Sequence, residues 1–197
     1  PDPEIDVAAL WLNASFLERE QRRFSFFQDE SQVLTSDKLS SSSISEGDGV
    51  FLLGFPMGMV DRTRQYAICR TGGIARIGDV KDGRGNEILV DALVFPGNSG
   101  GPVVTVPQLL SVGKIKPYPH ASLLGMVKSY VPYQEVAVSS QTGRPRMIFE
   151  VNSGLTSIVP AEFIHEVVLL AKKRKKSRSA QRKFQAKKRR QQEDQTT

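Results

Sequence analysis

Ser99 is the residue of this chain best placed for covalent chemistry. It stands in Phe95-Pro96-Gly97-Asn98-Ser99-Gly100-Gly101-Pro102, just ahead of the apolar run Val103-Val104-Thr105-Val106. Glycine lets a backbone turn sharply, adopt positive φ, or bring its own N–H groups close to a ligand. A turn of this composition between two β-branched segments can expose the Ser99 hydroxyl and aim the Gly97 and Ser99 N–H groups at one point. That is the layout of a nucleophile beside an oxyanion hole. The plain alternative is a Gly/Ser/Pro hairpin loop with no chemistry.

The same letters satisfy Gly-x-Ser-x-Gly, the nucleophile elbow of α/β-hydrolases, but that motif requires a helix directly after the serine. Pro102 and a β-branched run follow instead, so the elbow reading fails. Residues Gly97 to Pro102 resemble, at every position, the active-serine signature of the trypsin-like (chymotrypsin-fold) serine peptidases. The resemblance implies that Ser99 is the nucleophile and that the Gly97 and Ser99 N–H groups form the oxyanion hole. It implies an acid upstream as well. Ile5-Asp6-Val7-Ala8-Ala9-Leu10-Trp11-Leu12 is similar to the Asp-(Ile/Val)-Ala-x-Leu segment that carries the triad aspartate. In that role Asp6 is a buried carboxylate at the head of a strand, holding a histidine in the useful tautomer. The alternative for Asp6 is a strand edge with its carboxylate in water.

One departure matters. The family order is His, Asp, Ser, whereas both histidines of this chain, His120 and His165, follow Ser99. His120 lies in the proline-rich Lys116-Pro117-Tyr118-Pro119-His120, a loop; His165 lies in a helix-like stretch. Neither matches the family position of the general base. The expectation is therefore the C-terminal part of a bacterial or Deg-like peptidase whose histidine lies upstream. A non-catalytic peptidase-fold module is the alternative. No metal or cofactor enters either reading, and a polypeptide is the expected substrate.

By the same resemblance, Leu93, Val94 and Phe95 line the pocket for the substrate residue whose carbonyl is attacked. All three are apolar, with no carboxylate to select Lys or Arg; Asp91 is the nearest acid. A small or medium apolar residue is the expected preference, and ordinary core packing of the three is the competing reading.

The elements around this loop read as β. Val50 to Gly54 is a buried strand ending in the turn Phe55-Pro56-Met57-Gly58, within a Gly-Asp…Gly-x-Pro-x-Gly segment that resembles the opening of the family's second barrel. Tyr66 to Ile77 reads as a strand pair with a glycine bend, Lys81 to Asn86 as a hairpin turn, and Glu87 to Val94 as the strand delivering the serine loop. Cys69 reads as a small buried filler. Leu123 to Tyr130 resembles the strand along which substrate backbone pairs, and Val151 to Pro160 the closing strand. Apolar spacing predicts a helix from Ala161 to Leu170, with Pro160 at its start. Residues 13–46, with the serine run Ser40 to Ser43, read as a variable, loop-like excursion. The fold class expected is all-β: a chymotrypsin-like double β-barrel, its first barrel incomplete, with a C-terminal helix and basic tail. The expected domains are 1–46 as a remnant of the first barrel, 47–171 as the second barrel with its helix, and 172–197 as a tail, disordered or a lone helix.

A chain of 197 residues is long enough for a sizeable core. With one cysteine no intrachain disulfide forms, which points to an intracellular or bacterial relative rather than a secreted animal enzyme. No apolar run approaches a membrane helix of roughly 18 residues. The net charge of +6 divides sharply: residues 172–197 hold 12 Lys/Arg against 2 Asp/Glu, a balance of +10, which leaves −4 for residues 1–171. Residues 172–190 thus read as a weak site for an anionic partner, nucleic acid or membrane surface, as an import-like address, or as a solvated extension with no partner.

Overall fold

Alternating burial along Gly49–Gly54 (β1) sends Val50 and Leu52 fully inward, because successive side chains of a strand point to opposite faces. The computed structural model describes residues 5–60, 66–107 and 120–193. Along them β1 is followed by Ile68–Arg76 (β2), Ile88–Asp91 (β3), Pro102–Thr105 (β4), Leu123–Val138 (β5) and Pro145–Pro160 (β6). These strands pair antiparallel in the order β1-β2-β3-β6-β5-β4, and β4 returns to β1 to close the barrel. Closure pairs both edges of the strands within the barrel, whereas the outer halves of β5 and β6 pair only with each other. Val50, Leu52, Ile88, Val90, Val103 and Ile158, all fully buried, meet in its core. The described residues form this one barrel.

The chain divides into two compact units, one spanning Phe24–Glu162 and holding the barrel, the other comprising the chain through Arg23 and the helix from Phe163 onward. The boundary expected at residues 46 and 47 falls inside the barrel unit. Residues 33–44 are core rather than loop: Leu34, Leu39 and Ile44 join the barrel's apolar cluster. Val33 bridges Leu123 in parallel, and the Leu34 N–H donates to Leu123 O at 3.0 Å. After the short helix Asp29–Gln32 (α2), the serine run closes the helix Ser36–Ser41 (α3), where the Ser42 hydroxyl donates back to Leu39 O at 2.7 Å. Serine there caps a helix end instead of loosening a loop.

Other local expectations are corrected too. Residues 68–76 make a single strand, not a pair, with a register shift against β3 between Ile74 and Arg76. Cys69 is exposed, because Ile68 and Arg70 take the opposite face of β2. The link from β2 to β3 contains a helical turn, Gly78–Lys81 (α4), whose first N–H groups are taken by Glu46. β5 and β6 run on together from Gly125↔Pro160 to Val138↔Pro145. Their barrel halves are buried, whereas Tyr133, Val136, Ile148 and Phe149 on the outer ribbon are exposed.

In the other unit, no strand forms over residues 5–13, and Asp6 is exposed rather than buried. A strand needs a neighbour for its N–H and C=O groups, and this segment has no ladder partner among the described residues. Ala14–Arg19 (α1) follows, with the Asn13 carboxamide accepting from Phe16 N–H at 3.1 Å. The C-terminal helix Ala161–Glu193 (α5) continues far beyond Leu170. Lys175 Nζ sits 4.1 Å above the centre of the Trp11 ring, a cation–π contact. No helix among the described residues is long and apolar enough to cross a membrane.

Candidate active site

The serine loop, between β3 and β4, is built around a side chain that never reaches solvent. Asn98 is fully buried. Its carboxamide oxygen accepts the Phe95 N–H at 3.1 Å, its own N–H donates to Phe95 O at 3.0 Å, and its carbonyl accepts from Gly101 N–H at 2.9 Å. The sequence signals no role for Asn98 beyond its place in a Gly/Pro turn, where Asn commonly closes the turn on itself.

Neighbouring backbone explains the glycines. Gly97 has φ +99°, and a Cβ there would run into Phe55 O. A Cβ on Gly101 would collide with Leu53 O. The turn Pro56–Gly58 holds the loop from one side, with Met57 N–H donating to Pro96 O at 2.6 Å and Phe55 N–H to Gly97 O at 3.2 Å. β5 holds it from the other. Gly100 N–H donates to Val127 O at 2.8 Å, and Val127 N–H to Gly101 O at 2.9 Å.

Asn98, Gly100 and Gly101 thus spend their N–H groups inside the fold. The two remaining ones do not. Among the described residues the Gly97 and Ser99 N–H groups have no acceptor, and both residues are exposed. The Ser99 hydroxyl, also exposed, donates to Lys128 O on β5 at 3.1 Å. Two free donors flank one hydroxyl, an arrangement able to receive a developing oxyanion beside a nucleophile. The fully buried Asn98 Nδ2 has no hydrogen-bond partner among the described residues, a cost the loop carries.

The other expected site residues are dispersed. Asp6 belongs to the unit that does not hold Ser99. His120 is exposed at the end of the chain leading into β5, and His165 lies half-buried on α5. No histidine nitrogen bonds the Ser99 hydroxyl among the described residues.

Leu93, Val94 and Phe95 occupy three different environments. Val94 is core, at 2% exposure, and its carbonyl accepts from Asn152 Nδ2 at 2.7 Å. Leu93 is exposed. Phe95 is half-buried, with the Arg70 guanidinium 5.5 Å above its ring. Of the three, only Leu93 and Phe95 present side chains to solvent. Arg70 and Asn152 were not found by sequence reading. The Asn-Ser-Gly letters at 152–154 signal a kink, and Asn152 forms one by accepting Gly154 N–H at 2.9 Å. Further along the β5–β6 ribbon, Glu150 accepts from the Tyr130 hydroxyl at 2.7 Å and Gln134 at 3.1 Å. The Tyr130 bond foremost, then Gln134, holds the Glu150 carboxyl below its ordinary range, and the same carboxylate raises the Tyr130 phenol.

No protein-family model matches the chain, and no curated protein matches it in sequence.

Proposed function

We propose that this chain carries the nucleophile and oxyanion hole of a trypsin-like serine endopeptidase. The observation that carries the reading is the pair of unpartnered N–H groups at Gly97 and Ser99 on either side of a buried, fully bonded Asn98 N–H. In this reading the Ser99 Oγ bonds to the scissile carbonyl carbon and its proton passes to an imidazole. The carbonyl oxygen becomes an oxyanion held by the two N–H groups. Collapse expels the amine, which leaves with that proton, and water hydrolyses the acyl-serine. The barrel is then the second of a chymotrypsin-like pair, and the Ser99 hydroxyl, bonded to Lys128 O, must turn from that carbonyl to the imidazole before it attacks. Leu93 and Phe95 contact the substrate side chain, and the β5 backbone at Lys128–Tyr130 pairs with the substrate as an added strand.

The Ser99–Lys128 bond favours a second reading, in which the loop binds peptide without cleaving it. A fluorophosphonate probe separates the two. Labelling of the chain by itself is slow, maps to Ser99, accelerates with added imidazole, and is lost in Ser99→Ala. Labelling of Ser99 no faster than of other exposed serines, with and without imidazole, overturns the peptidase reading.

A further inference from the structure

We infer that α5 is a binding site for the phosphodiester backbone of double-stranded nucleic acid, independent of the chemistry at Ser99. From residue 172 to 190 the helix carries 12 Lys/Arg and no Asp/Glu. At roughly 1.5 Å per residue these cations occupy roughly 28 Å, close to one turn of a B-form duplex at about 34 Å. Their spacing, about one positive charge per 2.4 Å, approaches the one negative charge per roughly 1.7 Å of the duplex. Lys173, Arg174, Lys176 and Arg178 are exposed, as is Lys175 apart from its Trp11 contact. Residues 1–171 carry a net −4, so the attraction belongs to this basic stretch of the helix.

The pattern of the charges selects the partner. Five consecutive cations, Lys172 to Lys176, cover every direction around a helix that turns about 100° per residue. The apolar residues from 171 to 193 are Ala171, Ala180, Phe184 and Ala186, too few for an apolar stripe. A helix lying in a lipid surface needs such a stripe and meets the anionic plane on one side only. A major groove about 12 Å wide accepts a helix about 10–12 Å across and presents phosphates on both flanks. Like charges three and four residues apart strain the helix, and phosphates relieve that repulsion.

The test is fluorescence anisotropy of a labelled 30-base-pair duplex of arbitrary sequence, titrated with the full chain over a range of salt. Binding without sequence preference is expected. With about six phosphates neutralised, the slope of log affinity against log salt is about −5, or roughly a 250-fold loss from 50 to 150 mM salt. Replacing Lys187→Gln, Lys188→Gln, Arg189→Gln and Arg190→Gln together weakens binding more than tenfold and flattens the slope, with Ser99 labelling unchanged. Circular dichroism confirms that this variant keeps its fold. Vesicles containing phosphatidylserine at equal anion concentration should not displace the duplex. Absence of binding at 50 mM salt, displacement by the vesicles, or an unaltered slope in the variant overturns the inference.

Discussion

Val50–Leu53 and Val7–Leu12 are both short apolar runs, and they meet opposite fates. The first is β1, bonded to β2 on one side and β4 on the other, with Val50 and Leu52 fully buried. The second has no regular structure, and Leu10, Trp11 and Leu12 are exposed. Local composition permits a strand in each; the ladder partner and a core to face decide which one forms. The same contrast recurs within β5 and β6, whose barrel halves are buried and whose outer halves are not.

The largest expected effects test that contrast directly. Leu52→Ala should cost about 2–5 kcal/mol in a denaturant titration, whereas Leu12→Ala should stay within about 0.5 kcal/mol. Comparable losses from the two would mean that residues 5–13 are held by packing after all. Next come two glycines at positive φ, Gly143 in the turn joining β5 to β6 and Gly97 in the serine loop. Gly143→Ala faces only a positive φ, a penalty of about 1–2 kcal/mol, since nothing lies near its added methyl. Gly97→Ala adds a collision with Phe55 O to a positive φ, so it should destabilise more and slow Ser99 labelling. Equal effects would show that the loop relaxes freely.

How much was legible follows from range. Alternation in Val50–Gly54, the Gly/Pro punctuation around Ser99, and the apolar spacing after Pro160 are local signals, and the corresponding elements form. The strand order β1-β2-β3-β6-β5-β4 was not legible, because it rests on pairings between strands far apart in the chain. Residues 33–44 were misread because their serines suggest a loop, whereas Leu34, Leu39 and Ile44 find partners far along the chain. Asn98 and Arg70 act through contacts with Phe95 that no spacing rule announces.

Smaller effects sharpen the picture at the polar edges. The N–H of Ile77 foremost, with that of Gly78, holds Glu46 below the ordinary carboxylate value. A depressed folded value means that this stability is present above the unfolded value and is lost as pH falls through the folded one. Glu46→Gln should therefore cost at most about 1 kcal/mol at pH 7, given its exposure, and the two proteins should converge in acid. A constant gap down to low pH would contradict that cause. Smallest of all, Glu150→Gln should bring the raised Tyr130 phenol back toward 10.0, followed by NMR titration of its ring.

Amide hydrogen exchange across residues 97–101 tests the central claim most directly. Asn98, Gly100 and Gly101 should exchange slowly while Gly97 and Ser99 exchange fast, and a peptidyl boronate that caps the serine should protect those two. Slow exchange at Gly97 or Ser99 in the free chain, or no change on adding the boronate, would contradict the oxyanion hole.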